Sequence, residues 1–294
     1  MGFPFPIPPG YSDLPIWTGN GFQIGYAKLS VLQYTECNTG WNSNLTEFHE
    51  VEANQGNHYI DRASRFHASS ELKKNIKNRG VLLEIGSSSG YLLKDIKKAF
   101  PGIFLIGSDC IHEPLEKIAK SCHDIPLVQF DLNNCPLPDN CTDIIIALNV
   151  LEHIQDDISA LRQIHRILKP GGIVIIEVPA NQDLYDFYDA QLKHFRRYSI
   201  EELSNKVKRS GFEIQKATHL GFFLYPAFKS IKLHNKNKKV QSERQVRESV
   251  KNFIKIGGPI LNTILYSVMR LELLFGDRIE YPKGIRCLIT LIKK

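Results

Sequence analysis

Gly86-Ser87-Ser88-Ser89-Gly90 follows the apolar run Val81-Leu82-Leu83 and precedes Leu92, Leu93, Ile96 and Phe100 at helical spacing. That is a strand, a tight turn and a helix. Glycines lack a Cβ, so backbone can approach a ligand closely there. The free N–H groups of the new helix face the same space. By itself the pentapeptide fits three readings: a loop under a nucleotide-like ligand, a packing turn, or a G-x-S-x-G nucleophile elbow with Ser88 attacking an ester. Carboxylates downstream favour the first. Asp109 ends the next strand pattern, 103–109, and can accept both hydroxyls of a ribose. Asp131 ends the one after, 126–131, placed for an adenine amino group. Asn149 and Val150 end 144–150, just before Glu152 and His153. All lie at the carboxyl ends of successive strands, where open α/β sheets bind ligands. A serine hydrolase leaves Asp109, Asp131 and Lys169–Gly172 without a role. A nicotinamide dehydrogenase needs a G-x-G-x-x-G loop that is absent.

The elements that must position these groups read as repeated βα units from residue 81 onward. A further strand is expected at 173–179. A helix over 156–168 ends at Lys169-Pro170-Gly171-Gly172. Ser199-Ile200-Glu201-Glu202 reads as a capping box opening another helix, closed by Gly211 before a strand from Phe212. Such a rhythm implies a parallel sheet with helices on both faces. Residues 1–75, rich in Pro, Gly, Asn and aromatics, read as loops with one or two helices. Residues 221–284 read as an apolar helical insertion, and 285–294 as a last strand.

Of 294 residues, 43% are apolar and 23% charged, which is ordinary for a soluble globular chain and allows a core of normal size without metals or disulfides. The six cysteines form no C-x-x-C or zinc-finger spacing, so free thiols in a reducing compartment are expected. Met1–Pro6 lacks the pattern of a signal peptide, and no apolar run reaches a bilayer-spanning length. A cytoplasmic protein is expected. The net charge of +6 is local: residues 229–255 hold nine basic side chains against Glu243 and Glu248.

In Glu84-Ile85-Gly86-Ser87-Ser88-Ser89-Gly90, Gly107-Ser108-Asp109, Phe130-Asp131-Leu132, Leu137-Pro138-Asp139, Asn149-Val150-Leu151-Glu152-His153 and Leu168-Lys169-Pro170-Gly171-Gly172, the chain resembles the class I S-adenosylmethionine-dependent methyltransferases, closest to the group with quinone-biosynthesis enzymes. The resemblance covers about 81–216 and the final strand. It implies a Rossmann-like, doubly wound seven-stranded sheet, mostly parallel with an antiparallel last strand. Its implied organisation is a cap (1–75), a cofactor domain (76–220), a lid (221–284) and a returning strand (285–294). It implies S-adenosylmethionine as methyl donor and S-adenosylhomocysteine as product. Glu84, Gly86, Ser88 and Gly90 would lie under the methionine end and ribose, Asp109 on the ribose hydroxyls, Asp131 and Leu132 about the adenine, and Asn149 near the sulfonium. Ser88 departs from the glycine usual there. A non-catalytic homologue is the rival reading that this departure allows.

Methyl transfer is in-line displacement at an activated donor, so a base is needed only if the acceptor must lose a proton. In the resembled group a His-x-Arg-Arg-Tyr segment faces the acceptor, which here is His194–Tyr198. His194 is the first candidate base and His153 the second. Arg197, Tyr198 and Tyr188 are candidates for holding the acceptor. A bracing role is the alternative, with Arg196 and Arg197 on N-terminal carboxylates. Glu50, His58 and Arg62 are expected near the site. His49, Glu50 and His58 could ligate a metal, but a packed cap is expected and no metal ligand is assigned. The acceptor is a small molecule or is lipid- or glycan-linked. The insertion 221–284 could lie on an anionic membrane, making the protein peripheral. Nucleic acid, and with it an RNA methyltransferase, is disfavoured because the basic run lacks interleaved aromatics.

Overall fold

The computed structural model describes residues 2–35, 56–75, 79–236, 258–276 and 278–294. Its centre is a parallel block of five strands: β5 (Gly80–Ile85), β6 (Ile103–Asp109), β7 (Leu127–Gln129), β8 (Thr142–Leu148) and β9 (Leu168–Pro179). Side chains alternate between faces along a strand, and both faces here are apolar. Leu83, Ile85, Ile106, Ile145, Val174 and Ile176 belong to one buried cluster; Leu82, Leu105, Ile144, Ile146, Ile173 and Ile175 belong to the other. A sheet apolar on both sides must be covered on both sides.

Helices α1 (Tyr59–Asn75), α2 (Tyr91–Ala99) and α3 (His112–Ser121) supply Leu72, Leu93, Ile96, Leu115 and Ile118 to the second cluster. Helices α4 (Asp157–Ile167) and α6 (Ile200–Arg209) supply Leu161, Ile164, Leu203 and Val207 to the first. Between α4 and α6 lies the short α5 (Phe187–Gln191). Local chemistry starts both long helices: Asp156 caps α4 through the Ser159 N–H, and Ser199 caps α6 through the Glu202 N–H at 3.0 Å.

The sheet is completed by β10 (Phe212–Leu220) and β11 (Arg286–Lys293). Strand β11 inserts between β10 and β9, antiparallel to each. With the edge strand β4 (Leu32–Gln33), the order β10-β11-β9-β8-β5-β6-β7-β4 reverses direction at β5, which pairs with both β6 and β8. A crevice opens beyond the strand ends at such a reversal.

The expected Rossmann-like doubly wound α/β sheet is present, with two differences. An eighth strand, β4 (Leu32–Gln33), pairs parallel to β7 at the edge. The N-terminal segment, read as loops and helices, also holds a three-stranded antiparallel sheet of β1 (Ile16–Trp17), β2 (Phe22–Ile24) and β3 (Ala27–Leu29). Strands of two or three residues are too short for an alternation pattern. They are held by aromatic packing, with Phe22 at 5.0 Å from Phe5 and 4.9 Å from Trp17 between ring centroids. Pro170-Gly171-Gly172 also differs from expectation. The helix stops at Ile167, and these residues lie within β9 where its register against β8 shifts.

Residues 221–284 contain α7 (Tyr225–Lys236) and α8 (Gly258–Phe275). The basic positions from 238 to 255 lie outside the described residues. Among the described residues no helix is long and apolar enough to cross a membrane.

Candidate active site

Strand β5 delivers the chain into a loop tied to β6. The N–H groups of Gly86 and Ser87 both donate to the Ser108 carbonyl at 2.9 Å, and the Gly90 N–H donates to Ser87 O at 2.7 Å. Gly86 has φ +77°, and a Cβ there would come within 2.6 Å of Val150 Cγ2. A side chain is therefore excluded twice, by backbone conformation and by space. Ser88 sits at φ +43°, a left-handed backbone that a non-glycine residue adopts at a cost. Its N–H donates to Asp109 Oδ2 at 2.9 Å, while the Ile111 N–H donates to Oδ1 at 3.0 Å. Burial raises the Asp109 carboxyl and those backbone donors oppose the rise. A carboxylate offers about four acceptor positions, so Asp109 keeps some for a ligand.

Asp109 faces a cavity of about 420 Å³ that runs along the strand ends, within the range for cofactor-sized ligands. Gly86, Ser88, Asp131, Leu132, Phe130, Cys110 and Asn149 line it at this end. Asn149 has φ +54°, and its buried Oδ1 has no hydrogen-bond partner. Its Nδ2 points back to Glu177 Oε1 at 3.4 Å. Glu84 and Gly90 are absent from the cavity wall. Glu84 lies buried beneath the loop, where desolvation raises its carboxyl well above the ordinary range. Gly90 is the N-cap of α2 at φ +71°. Both shape the loop beneath the cavity, and neither lines it.

At its other end the same cavity is walled by Leu224, Ala227, Phe228 and Ile231 about α7, Leu265 of α8, and Ile285. The polar groups there are Tyr188, His194, Arg197, Lys232, Arg286, Glu152 and His153. Asp189 organises them. Its Oδ1 accepts from Arg197 Nε at 2.8 Å and from His194 Nδ1 at 3.0 Å, and its Oδ2 accepts from Lys232 Nζ at 2.8 Å. Burial alone would raise the Asp189 carboxyl; His194, Arg197 and Lys232 together hold it well below the usual carboxylate range. An ionised carboxylate only accepts, so His194 Nδ1 carries the proton and a neutral ring presents Nε2 as an acceptor. Burial keeps the ring neutral by lowering its pKa, against the pull of Asp189.

Glu152 belongs to the turn after β8. It is 0% exposed, and neither carboxylate oxygen has a hydrogen-bond partner. Desolvation pushes its pKa up to about 8. The loop carrying His194 is fastened to this turn. The Phe195 N–H donates to Glu152 O at 2.8 Å, and Arg196 donates to Ile154 O at 2.9 Å and Gln155 O at 2.7 Å.

His194, His153, Arg197, Tyr188 and His58 thus all line the one cavity. Tyr198 does not. It is fully buried, its hydroxyl 2.8 Å from Asp157 Oδ2 and 3.2 Å from Leu151 O, and it supports the core instead of holding an acceptor. Arg62 stacks on Tyr266 at 3.8 Å, away from the lining. Glu50 and His49 lie outside the described residues. Among the described residues, Arg196 and Arg197 pair with Asp157 and Asp189. Lys232, Arg286 and Glu177 were not singled out. Lys232 reads as one cation in a basic run, and only tertiary placement distinguishes it.

A family described as a methyltransferase domain matches residues 56–217. The "probable S-adenosylmethionine-dependent methyltransferase" of Mycolicibacterium smegmatis is 26% identical over 139 residues, 46% of this chain and 52% of that protein. Demethylmenaquinone methyltransferase of Geobacillus stearothermophilus is 28% identical over 95 residues, 32% of this chain and 40% of that protein. The chain spans 52%, 42% and 38% of the length of the first three curated relatives it matches. Among solved structures, Haemonchus contortus phosphoethanolamine N-methyltransferase 2, in complex with phosphomonomethylethanolamine and S-adenosylhomocysteine, superposes with TM-score 0.52 at 18% identity, covering 87% of this chain and 59% of that one. The [4+2]-cyclase SpnF superposes with TM-score 0.51 at 18% identity, covering 77% and 79%. Identities this low show a shared fold alone.

Proposed function

The chain belongs to the methyltransferase-domain family, and from that premise we propose that it moves the methyl group of S-adenosylmethionine to an oxygen of an acceptor with an apolar body. The observation that carries this reading is the single cavity, with cofactor carboxylates at one end and a neutral, Asp189-oriented His194 at the other. The residues present fit the cofactor. Gly86 leaves a cradle that a Cβ would fill, and Asp109, Asp131 and Asn149 Oδ1 offer acceptors to a ligand rich in hydroxyl and amino donors. Bound S-adenosylmethionine supplies a methyl group already electrophilic on sulfur. The protein's part is to place the acceptor, exclude water and handle a proton.

His194 Nε2 takes the acceptor's proton, and Asp189 steadies the resulting imidazolium. Arg197 and Lys232 hold Asp189 in turn. Leu224, Phe228, Ile231 and Leu265 enclose the acceptor's apolar body. We read 76–220 with 285–294 as the cofactor unit and 221–284 as the acceptor's cover. The outer side of that cover exposes Ile260, Ile264, Leu271, Leu274 and Phe275. The sequence joining its helices is basic, as suits an anionic membrane surface presenting a lipid-linked acceptor.

The [4+2]-cyclase neighbour illustrates that this fold does not by itself dictate methyl transfer. Calorimetric titration with S-adenosylmethionine and S-adenosylhomocysteine, with Asp109→Ala beside the wild type, tests the assignment. Binding that the substitution abolishes is expected. Absence of binding to the folded protein would overturn the cofactor reading. Binding without methyl transfer to any oxygen acceptor, lipid-linked ones included, would favour the non-catalytic rival.

A further inference from the structure

Glu152, His153 and His194 each bring one possible ligand atom to a common point, all within 4.8 Å of one another. We infer that these three residues form a divalent-cation site of zinc-like preference inside the acceptor end of the cavity, with a coordination position left for the acceptor's oxygen. The inference rests on the methyltransferase reading for its purpose and specifies how the acceptor is activated. With a cation in place, His194 would serve as a ligand and the metal would lower the pKa of the acceptor hydroxyl, whose proton would pass to solvent; in the metal-free site His194 Nε2 takes that proton.

Several independent observations converge here. The first is Glu152, wholly buried, lining the cavity, with no partner for either carboxylate oxygen. A buried carboxyl left unbonded is costly, and such groups pair with something or coordinate metal. The second is His194. Donation of its Nδ1–H to Asp189 fixes the tautomer and leaves Nε2 for a ligand, the carboxylate–histidine arrangement typical of metal sites. The third is His153, whose ring lies edge-on to that of His194 at 4.6 Å between centroids.

The geometry is near what a cation requires. Donors about 2.1 Å from a tetrahedral ion are ~3.4 Å apart, and the three candidate atoms already lie within 4.8 Å of one another. The carrier loops are already joined by the Phe195–Glu152 backbone bond and by Arg196. Ligand type sets the preference. Two imidazoles and one carboxylate suit zinc, cobalt or manganese, whereas magnesium and calcium favour oxygen sets. Three protein ligands leave room for a fourth from water or substrate, the pattern of catalytic rather than structural zinc.

The test is to titrate Co²⁺ into the 294-residue chain after chelator dialysis, following its visible absorption, with Zn²⁺ titrated by calorimetry. One ion per chain is expected. Glu152→Gln and His153→Ala should each weaken it by at least about 100-fold. Asp109→Ala should bind Co²⁺ as the wild type does while losing S-adenosylhomocysteine, and Glu152→Gln the reverse, which separates failure of the metal site from failure of the cofactor reading. Circular dichroism establishes that each variant is folded, and His194→Gln serves if one of the others is not. No stoichiometric binding, or binding unaltered by these substitutions, overturns the site.

Discussion

Lys232→Met removes a buried cation while keeping most of the side chain's volume. Lys232 is 1% exposed, and its Nζ lies 2.8 Å from both Asp186 Oδ1 and Asp189 Oδ2. At an effective dielectric near 20, each contact at this distance is worth about 6 kcal/mol of Coulomb attraction. Desolvating the ammonium takes back several kcal/mol, so the pair itself contributes little net. Its removal is different, because two neighbouring carboxylates remain buried with Arg197 as their main counter-charge. Breaking a buried pair in this way costs about 3–5 kcal/mol, or a Tm lower by roughly 5–10 °C. The exposed Lys229, changed to Met, should cost less than about 0.5 kcal/mol. Urea unfolding followed by circular dichroism measures both. In Lys232→Met/Asp186→Asn the surplus negative charge is gone, and about 1–3 kcal/mol of the loss should return as coupling. Methyl-transfer kinetics should show a raised KM, because Lys232 pins α7 to the loop bearing His194. A Lys232→Met protein within 1 kcal/mol of wild type, or a coupling near zero, would refute the reasoning.

Other outcomes follow from single positions. Ser88→Gly relieves a left-handed backbone worth about 1–2 kcal/mol but frees the unfolded chain by about 0.5–1 kcal/mol; cofactor affinity should hold or tighten, and a tenfold loss by calorimetry would contradict the assigned strain. Gly86→Ala meets Val150 as well as the positive φ and should destabilise by about 2–4 kcal/mol in urea, a prediction sunk by wild-type stability. Glu71 bonds Lys74 at 2.9 Å and Lys216 and Thr290 across to β10 and β11. Burial opposes ionisation there, but these cations with His67 bring its pKa below the ordinary value. A depressed acid stabilises the fold above its unfolded pKa of about 4.3, and that stabilisation is lost as pH falls through the folded value. Glu71→Gln should therefore lower Tm more at pH 7 than at pH 3; equal losses at both would exclude the linkage. Burial pushes the Cys135 thiol up to about 11 and Cys141 and Cys287 to about 12, so mass spectrometry after iodoacetamide at pH 7.5 should find them unmodified, while labelling of Cys110, on the cofactor wall, should be blocked by S-adenosylhomocysteine. Labelling of Cys110 that ignores the ligand would place the cofactor elsewhere.

Much of this protein is local in origin and so could be read along the chain. Apolar runs such as Ile144–Ala147 and Ile173–Ile176, bounded by turn residues, read as strands covered on both faces. The Gly86–Gly90 turn, Ser199 and Asp156 mark where helices begin. Asp109 and Asp131 lie at or just past strand ends, where a parallel sheet collects its ligands, so their place on the cavity wall was legible from order and spacing. Tertiary structure alone decided the rest. Adjacent residues in His194-Phe195-Arg196-Arg197-Tyr198 have different fates: His194 and Arg197 face the cavity, while Tyr198 enters the core through Asp157 and Leu151. Spacing in an irregular loop carries no period from which to tell them apart. Strands β1–β4 are too short to alternate and exist because Phe5, Trp17 and Phe22 pack together. Lys232 and Glu152 resemble any surface lysine and glutamate until the fold buries one between two aspartates and leaves the other unbonded beside two histidines. Burial and long-range pairing give those side chains their chemistry, and both arise only when distant segments meet.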